Sequence, residues 1–149
     1  MKKFFLFFMV CSGIVNTRLY AGDASSLYEL KSEWSDINSK PQRIDVGRGG
    51  FVLMSMIYTN CSHACPMTIS KIQEIVRKLN EEKIDNVKVV LPSFDLKKDK
   101  PKHLHQYVKS RKLDPGQWIF LSPQSEDTIR ELAVVLGVNY KDLGNGDFS

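Results

Sequence analysis

Cysteine is scarce in this 149-residue chain, with three in all, and no internal repeat or low-complexity segment interrupts it. Each shortage removes a class of function. A closed structural zinc site needs about four ligands, and only Cys61 and Cys65 remain once the amino-terminal leader described below is set aside. Glycine clusters once, as Gly47-Arg48-Gly49-Gly50. That spacing fits no phosphate-binding loop and no helix follows directly, so the cluster is a turn. Basic excess is small as well. The formal charge is +4, but Lys2, Lys3 and Arg18 belong to the leader, which leaves 18 bases against 17 acids. The lysines Lys97, Lys98 and Lys100 are interleaved with Asp95 and Asp99 and lack stacking aromatics, which describes a solvated loop and argues against a nucleic-acid partner.

Long apolar runs are also missing. The longest, Phe4 to Val10, continues only weakly to Val15, too short to span a bilayer comfortably. It follows Met1-Lys2-Lys3 and precedes Leu19-Tyr20-Ala21, the layout of a secretory signal with its cleavage site. Residues 1–21 are therefore expected to be an export signal, or an uncleaved anchor. Cys11 does not convert it to a lipoprotein signal, because Val10 stands where a small residue is wanted. Residues 22–149 then form one domain, in which Cys61 and Cys65 have only each other as intramolecular partners, in an oxidising compartment.

What the chain does have is Cys61-Ser62-His63-Ala64-Cys65-Pro66, two thiols four residues apart. The preceding Phe51 to Tyr58 is almost unbrokenly apolar and predicts a strand buried on both faces. Beyond Pro66, the spacing of Ile69, Ile72, Ile75 or Val76, and Leu79 predicts a helix to about Asn80, with Pro66 in its first turn. Cys65 then stands at a helix amino end, where unpaired N–H groups favour a thiolate. Two such sulfurs can share a disulfide or a soft metal ion.

Around this centre, Gly22 to Asp45 is a polar lead-in anchored by Leu27, Leu30 and Trp34, with a short strand or hairpin near Leu30 and Ile44. A second buried strand covers Val87 to Leu91 and ends near Ser93. Pro101 opens a helix to about Arg111, Trp118 to Leu121 is a third strand, and Ser125 caps a helix that Gly137 ends. Alternating strands and helices imply an α/β fold with a mainly parallel sheet flanked by helices. In such sheets chemistry gathers at the strands' carboxyl ends, where Cys61 and Asp95 both fall.

The string Tyr58 to Thr68 around the motif, Ser93-Phe94-Asp95 with Asp99 and Pro101, Trp118, Glu131-Leu132-Ala133, Leu136-Gly137-Val138 and Tyr140 together resemble the Sco/SenC family. The resemblance covers about Leu27 to Ser149. It implies a thioredoxin-like fold and an exported location, periplasmic or on the outer face of the inner membrane. It also implies copper delivery to, or thiol reduction of, the binuclear copper site of cytochrome c oxidase. The implied partners are the copper-site subunit of that oxidase or another exported cuproprotein, and a thiol reductant. By the same resemblance Cys61 and Cys65 match two copper ligands. The third, a distal histidine, would come directly after Ser149, where the sequence stops, so the domain is expected to lack its last strands and terminal helix. Leu96 stands where the family usually has a proline.

Three chemistries remain open for the pair. Thiolates select Cu(I), and two suffice for it without the histidine. The same sulfurs also form a dithiol–disulfide couple in which either cysteine attacks and the other resolves, the function of a thiol-disulfide oxidoreductase. An inactive fragment is the remaining expectation, through a sheet edge left exposed. His63 is expected on the loop surface, and His103 and His105 on different, solvated helix faces. Asp95 and Asp99 cap the loop and helix entry or contact metal or partner. Met67 is the one methionine beside the motif that could approach Cu(I), whereas Met54 and Met56 pack in the core.

Overall fold

The computed structural model describes residues 26–62, 64–144 and 147–148. The leader, Cys11, His63 and Ser149 lie outside the described residues. Five strands and three α-helices follow in the order β1 (Glu33–Ser35), β2 (Pro41–Arg43), β3 (Phe51–Met54), α1 (Ala64–Glu81), β4 (Val87–Pro92), α2 (Pro101–Ser110), β5 (Trp118–Pro123) and α3 (Glu126–Leu136). They make one sheet of order β2-β1-β5-β4-β3. The pairs β3–β4 and β4–β5 are parallel, and the lead-in hairpin β1–β2 adds antiparallel to β5. This is the α/β, thioredoxin-like architecture expected.

Residue alternation along β4 divides the core. Val89 and Leu91 face a cluster with Ile69, Ile72 and Val76 of α1 and Leu104 and Val108 of α2. Val90 faces the opposite cluster, with Trp34, Leu121 and Ile129 and Leu132 of α3. Both faces are covered, which is why β4 is apolar from Val89 to Pro92 rather than alternating, with Lys88 the one polar residue, near its amino end. Helix α3 is bounded as its sequence dictates: Ser125 Oγ accepts the Thr128 N–H at 3.1 Å, and Gly137 takes the left-handed conformation at φ 65°.

The motif strand departs from its expectation. It ends at Met54 and Phe51 is 68% exposed, because among the described residues β3 has a partner on one side only. Burial begins where the chain leaves the strand, at Met56, Ile57 and Tyr58. Ile57 still follows the sheet, donating its N–H to Pro92 O at 3.0 Å and accepting from Phe94 N–H at 3.0 Å. This extension brings Thr59 to Cys61 over the sheet's carboxyl edge. No helix among the described residues is long and apolar enough to cross a membrane.

Candidate metal centre

A tight turn delivers the first sulfur. The Cys61 N–H donates to Tyr58 O at 3.3 Å, and the chain enters α1 within three residues. Cys61 is half-buried, and its Sγ accepts the Cys65 backbone N–H at 3.2 Å. The helix's amino-terminal N–H therefore serves the sulfur one turn upstream.

This reverses the expectation for Cys65. It does stand in the first turn of α1, but its side chain points inward among Ile57, Ile69 and Leu91. Burial pushes its thiol up to about 12, and the adjacent Cys61 sulfur raises it further against a lowering contribution from the Tyr58 backbone. Desolvation outweighs the helix terminus at this site. The pair is thus asymmetric, with an accessible sulfur already holding a donor and a buried one that keeps its proton.

Tyr58, Phe94, Tyr140 and Phe148 form an aromatic wall beside the sulfurs. Ring centroids lie 5.2 Å apart for Tyr58–Phe94, 4.9 Å for Tyr58–Phe148 and 5.5 Å for Phe94–Tyr140. A cavity of about 230 Å³ opens between this wall, Cys61, Cys65 and Met56. Burial first, and then a hydrogen bond to the Cys61 side chain, raise the Tyr58 phenol, so it stays protonated and can donate to that sulfur. Sequence reasoning missed this wall; the apolar Tyr58 and Phe94 next to the two motifs were its only signal.

The aspartates separate in role. Asp95 caps its own loop, Oδ1 accepting the N–H groups of Lys97 at 3.0 Å and Lys98 at 2.9 Å. Asp99 reaches across to the motif. Its Oδ2 accepts Thr59 N–H at 2.9 Å and the Ser93 hydroxyl at 2.6 Å, and its Oδ1 accepts the Thr59 hydroxyl. Fully buried, this carboxylate ties the turn before Cys61 to the loop after β4. His103 and His105 are exposed on α2, and Met67 is 61% exposed on α1 and lines none of the cavity, so it makes no thioether contact there. Among the described residues there is no group of three or more His, Cys, Asp or Glu that could hold a metal, and the soft atoms lining the cavity are the sulfurs of Cys61, Cys65 and Met56. Two adjacent sulfurs fit Cu(I), which accepts few, soft ligands.

Comparison with known proteins bears on the same residues. The chain is 33% identical over 87 residues to the SCO1 protein homolog of Bacillus subtilis, a match covering 58% of this chain and 45% of that protein. The match covers less than half the length of this relative and of three further curated ones, from 37% to 45%. Among solved structures, BsSco, a member of the Sco family of cytochrome c oxidase assembly proteins, superposes with a TM-score of 0.65 at 27% identity, covering 77% of this chain and 67% of that one. ScoI of Bradyrhizobium japonicum, solved with copper bound, gives a TM-score of 0.64 at 25% identity over 79% of this chain and 73% of that one. The SCO1/SenC family model matches residues 23–136, from the lead-in through the dithiol motif to the last turn of α3, and the chain belongs to that family.

Proposed function

We propose that this domain binds Cu(I) through Cys61 and Cys65 and passes it on in assembly of the binuclear copper site of cytochrome c oxidase. The observation that carries the reading is the convergence of the two sulfurs at one helix turn, with Cys65 N–H on Cys61 Sγ at 3.2 Å, beside an aromatic cavity. The copper-bound ScoI and the assembly role of BsSco support it. Copper here is cargo. The half-buried Cys61 is the sulfur a partner reaches first, and Cys65 closes the site from inside. The partner is the oxidase's copper-site subunit or another exported cuproprotein, with residues 1–21 directing export or anchoring the domain outside the inner membrane.

The same asymmetry favours a second reading, thiol-disulfide exchange. The Cys61 thiolate would attack a partner disulfide, forming a mixed disulfide and releasing one partner thiolate. Cys65 would then lose its proton and displace the second partner sulfur, leaving a Cys61–Cys65 disulfide and a reduced partner. A thiol reductant restores the dithiol. Titrating the reduced chain with Cu(I) against a competing chelator separates the two readings. One tightly held Cu(I) per chain, lost in Cys61→Ser and in Cys65→Ser, supports copper transfer. Absent or cysteine-independent binding, with catalytic reduction of a protein disulfide, supports exchange.

A further inference from the structure

The dithiol does not border a neutral surface. From Leu96 to Leu113 the chain carries seven Lys or Arg residues and a single acid, Asp99. In the sequence Asp95 and Asp99 balance the start of this run. In the structure both are withdrawn from solvent, at 3% and 0% exposure, and internal donors reach Asp95 Oδ1 and both oxygens of Asp99. The cations stay outside. Lys97 pairs with Asp142 at 3.0 Å, but among the described residues Lys98, Lys100, Lys102, Lys109, Arg111 and Lys112 have no carboxylate within ion-pair distance. Lys102, His105 and Lys109 share one exposed stripe of α2, at positions i, i+3 and i+7.

The face adjoins the site through Asp99. That carboxylate holds the Thr59 N–H, two residues before Cys61, and Lys98 and Lys100 are its immediate neighbours in the chain. We infer that the cationic face formed by Lys98, Lys100 and α2 docks an acidic protein surface against the Cys61–Cys65 site. The inference rests on the proposed action of this dithiol on a protein partner, and names the chemistry by which that partner is recognised. A membrane is a poorer fit. A helix that lies on lipid exposes apolar residues beside its cations, whereas α2 buries Leu104 and Val108 and exposes Lys102, His103, His105, Gln106, Lys109 and Ser110. For nucleic acid the one Phe, Tyr or Trp ring of α2, Tyr107, is already covered, with Arg111 lying over it at 4.6 Å.

Steering of this kind shows in rates that depend on charge and salt. The reduced full chain is mixed near neutral pH with anionic glutathione disulfide, cationic cystamine or neutral bis(2-hydroxyethyl) disulfide, and loss of thiol is followed. The anionic-to-cationic rate ratio should fall about tenfold between roughly 20 mM and 500 mM ionic strength. In K98E/K100E/K102E the salt dependence should reverse sign. Lys100 makes no side-chain cap bond and acids suit a helix amino end, so this variant keeps its fold. The distant pair K40E/K83E should behave as wild type. A ratio indifferent to salt, or a triple variant that behaves as wild type, overturns the docking face while leaving the dithiol reading intact. Failure to react even with the neutral disulfide overturns the dithiol reading and this face with it. Tight binding to phosphatidylglycerol vesicles or a single-stranded oligonucleotide, abolished in the triple variant without any charge preference among disulfides, reassigns the face and overturns the inference.

Discussion

Cys61 and Cys65 differ by one helical turn and by most of their surroundings. Iodoacetamide near neutral pH should label Cys61 and spare Cys65, and in Cys61→Ser labelling should rise only in strong alkali; mass spectrometry of the labelled peptides reads this directly. The Cys65 thiol also makes stability depend on pH. Its folded value of about 12 lies above the ordinary 9.0, so above pH 9 the unfolded chain releases a proton that the folded chain keeps. Stability contributed by the neutral thiol is complete below pH 9 and is lost as pH rises through the alkaline range. Urea melts of the reduced protein should show this loss between about pH 9 and pH 10, below the range where tyrosines raised by burial add their own, and Cys65→Ala should lack it there. Asp99 is the other decisive residue. Asp99→Asn turns an acceptor that faces three donors into a group with its own N–H, and should cost about 2 kcal/mol or more in the same melts.

At the scale of elements, local chemistry was legible wherever it repeats or punctuates. Helix α1 runs to Glu81 against an expected Asn80, and α3 lies between the Ser125 cap and Gly137 as expected. Ser125→Ala should cost about 1 kcal/mol, lowering the melting temperature by a few degrees, with no change in Cu(I) affinity because α3 lies on the opposite sheet face. The motif strand was misjudged for a physical reason. An apolar run reports that a segment has burial to gain, but whether both faces are covered depends on neighbours that are distant in sequence. Phe51 is exposed and Tyr58 buried within the same run. Cys65 shows the same limit: its place at a helix amino end was readable, but the direction of its side chain, which decides its acidity, depends on packing against Ile69 and Leu91.

The whole molecule places chemistry, recognition and support on one edge. The sheet's carboxyl end presents Cys61, the aromatic wall roofs the cavity, and Asp99 binds the motif turn to the loop that leads into α2. Family and fold were legible because CxxxCP and SFDxxxDxP lie far apart in the chain yet describe one place. Their contact through Thr59 and Asp99 was not, since nothing local predicts a hydrogen bond between residues 40 positions apart. Nor was the net surface charge, which changes once two aspartates turn inward. The central claim is that Cys61 and Cys65 together hold one copper ion, and X-ray absorption at the copper edge of the Cu(I)-loaded chain tests it most directly. Two sulfur scatterers per copper, falling to one or to unbound metal in Cys61→Ser and Cys65→Ser, is the predicted result. A first shell of nitrogen and oxygen only, or a spectrum unchanged by either substitution, would contradict it.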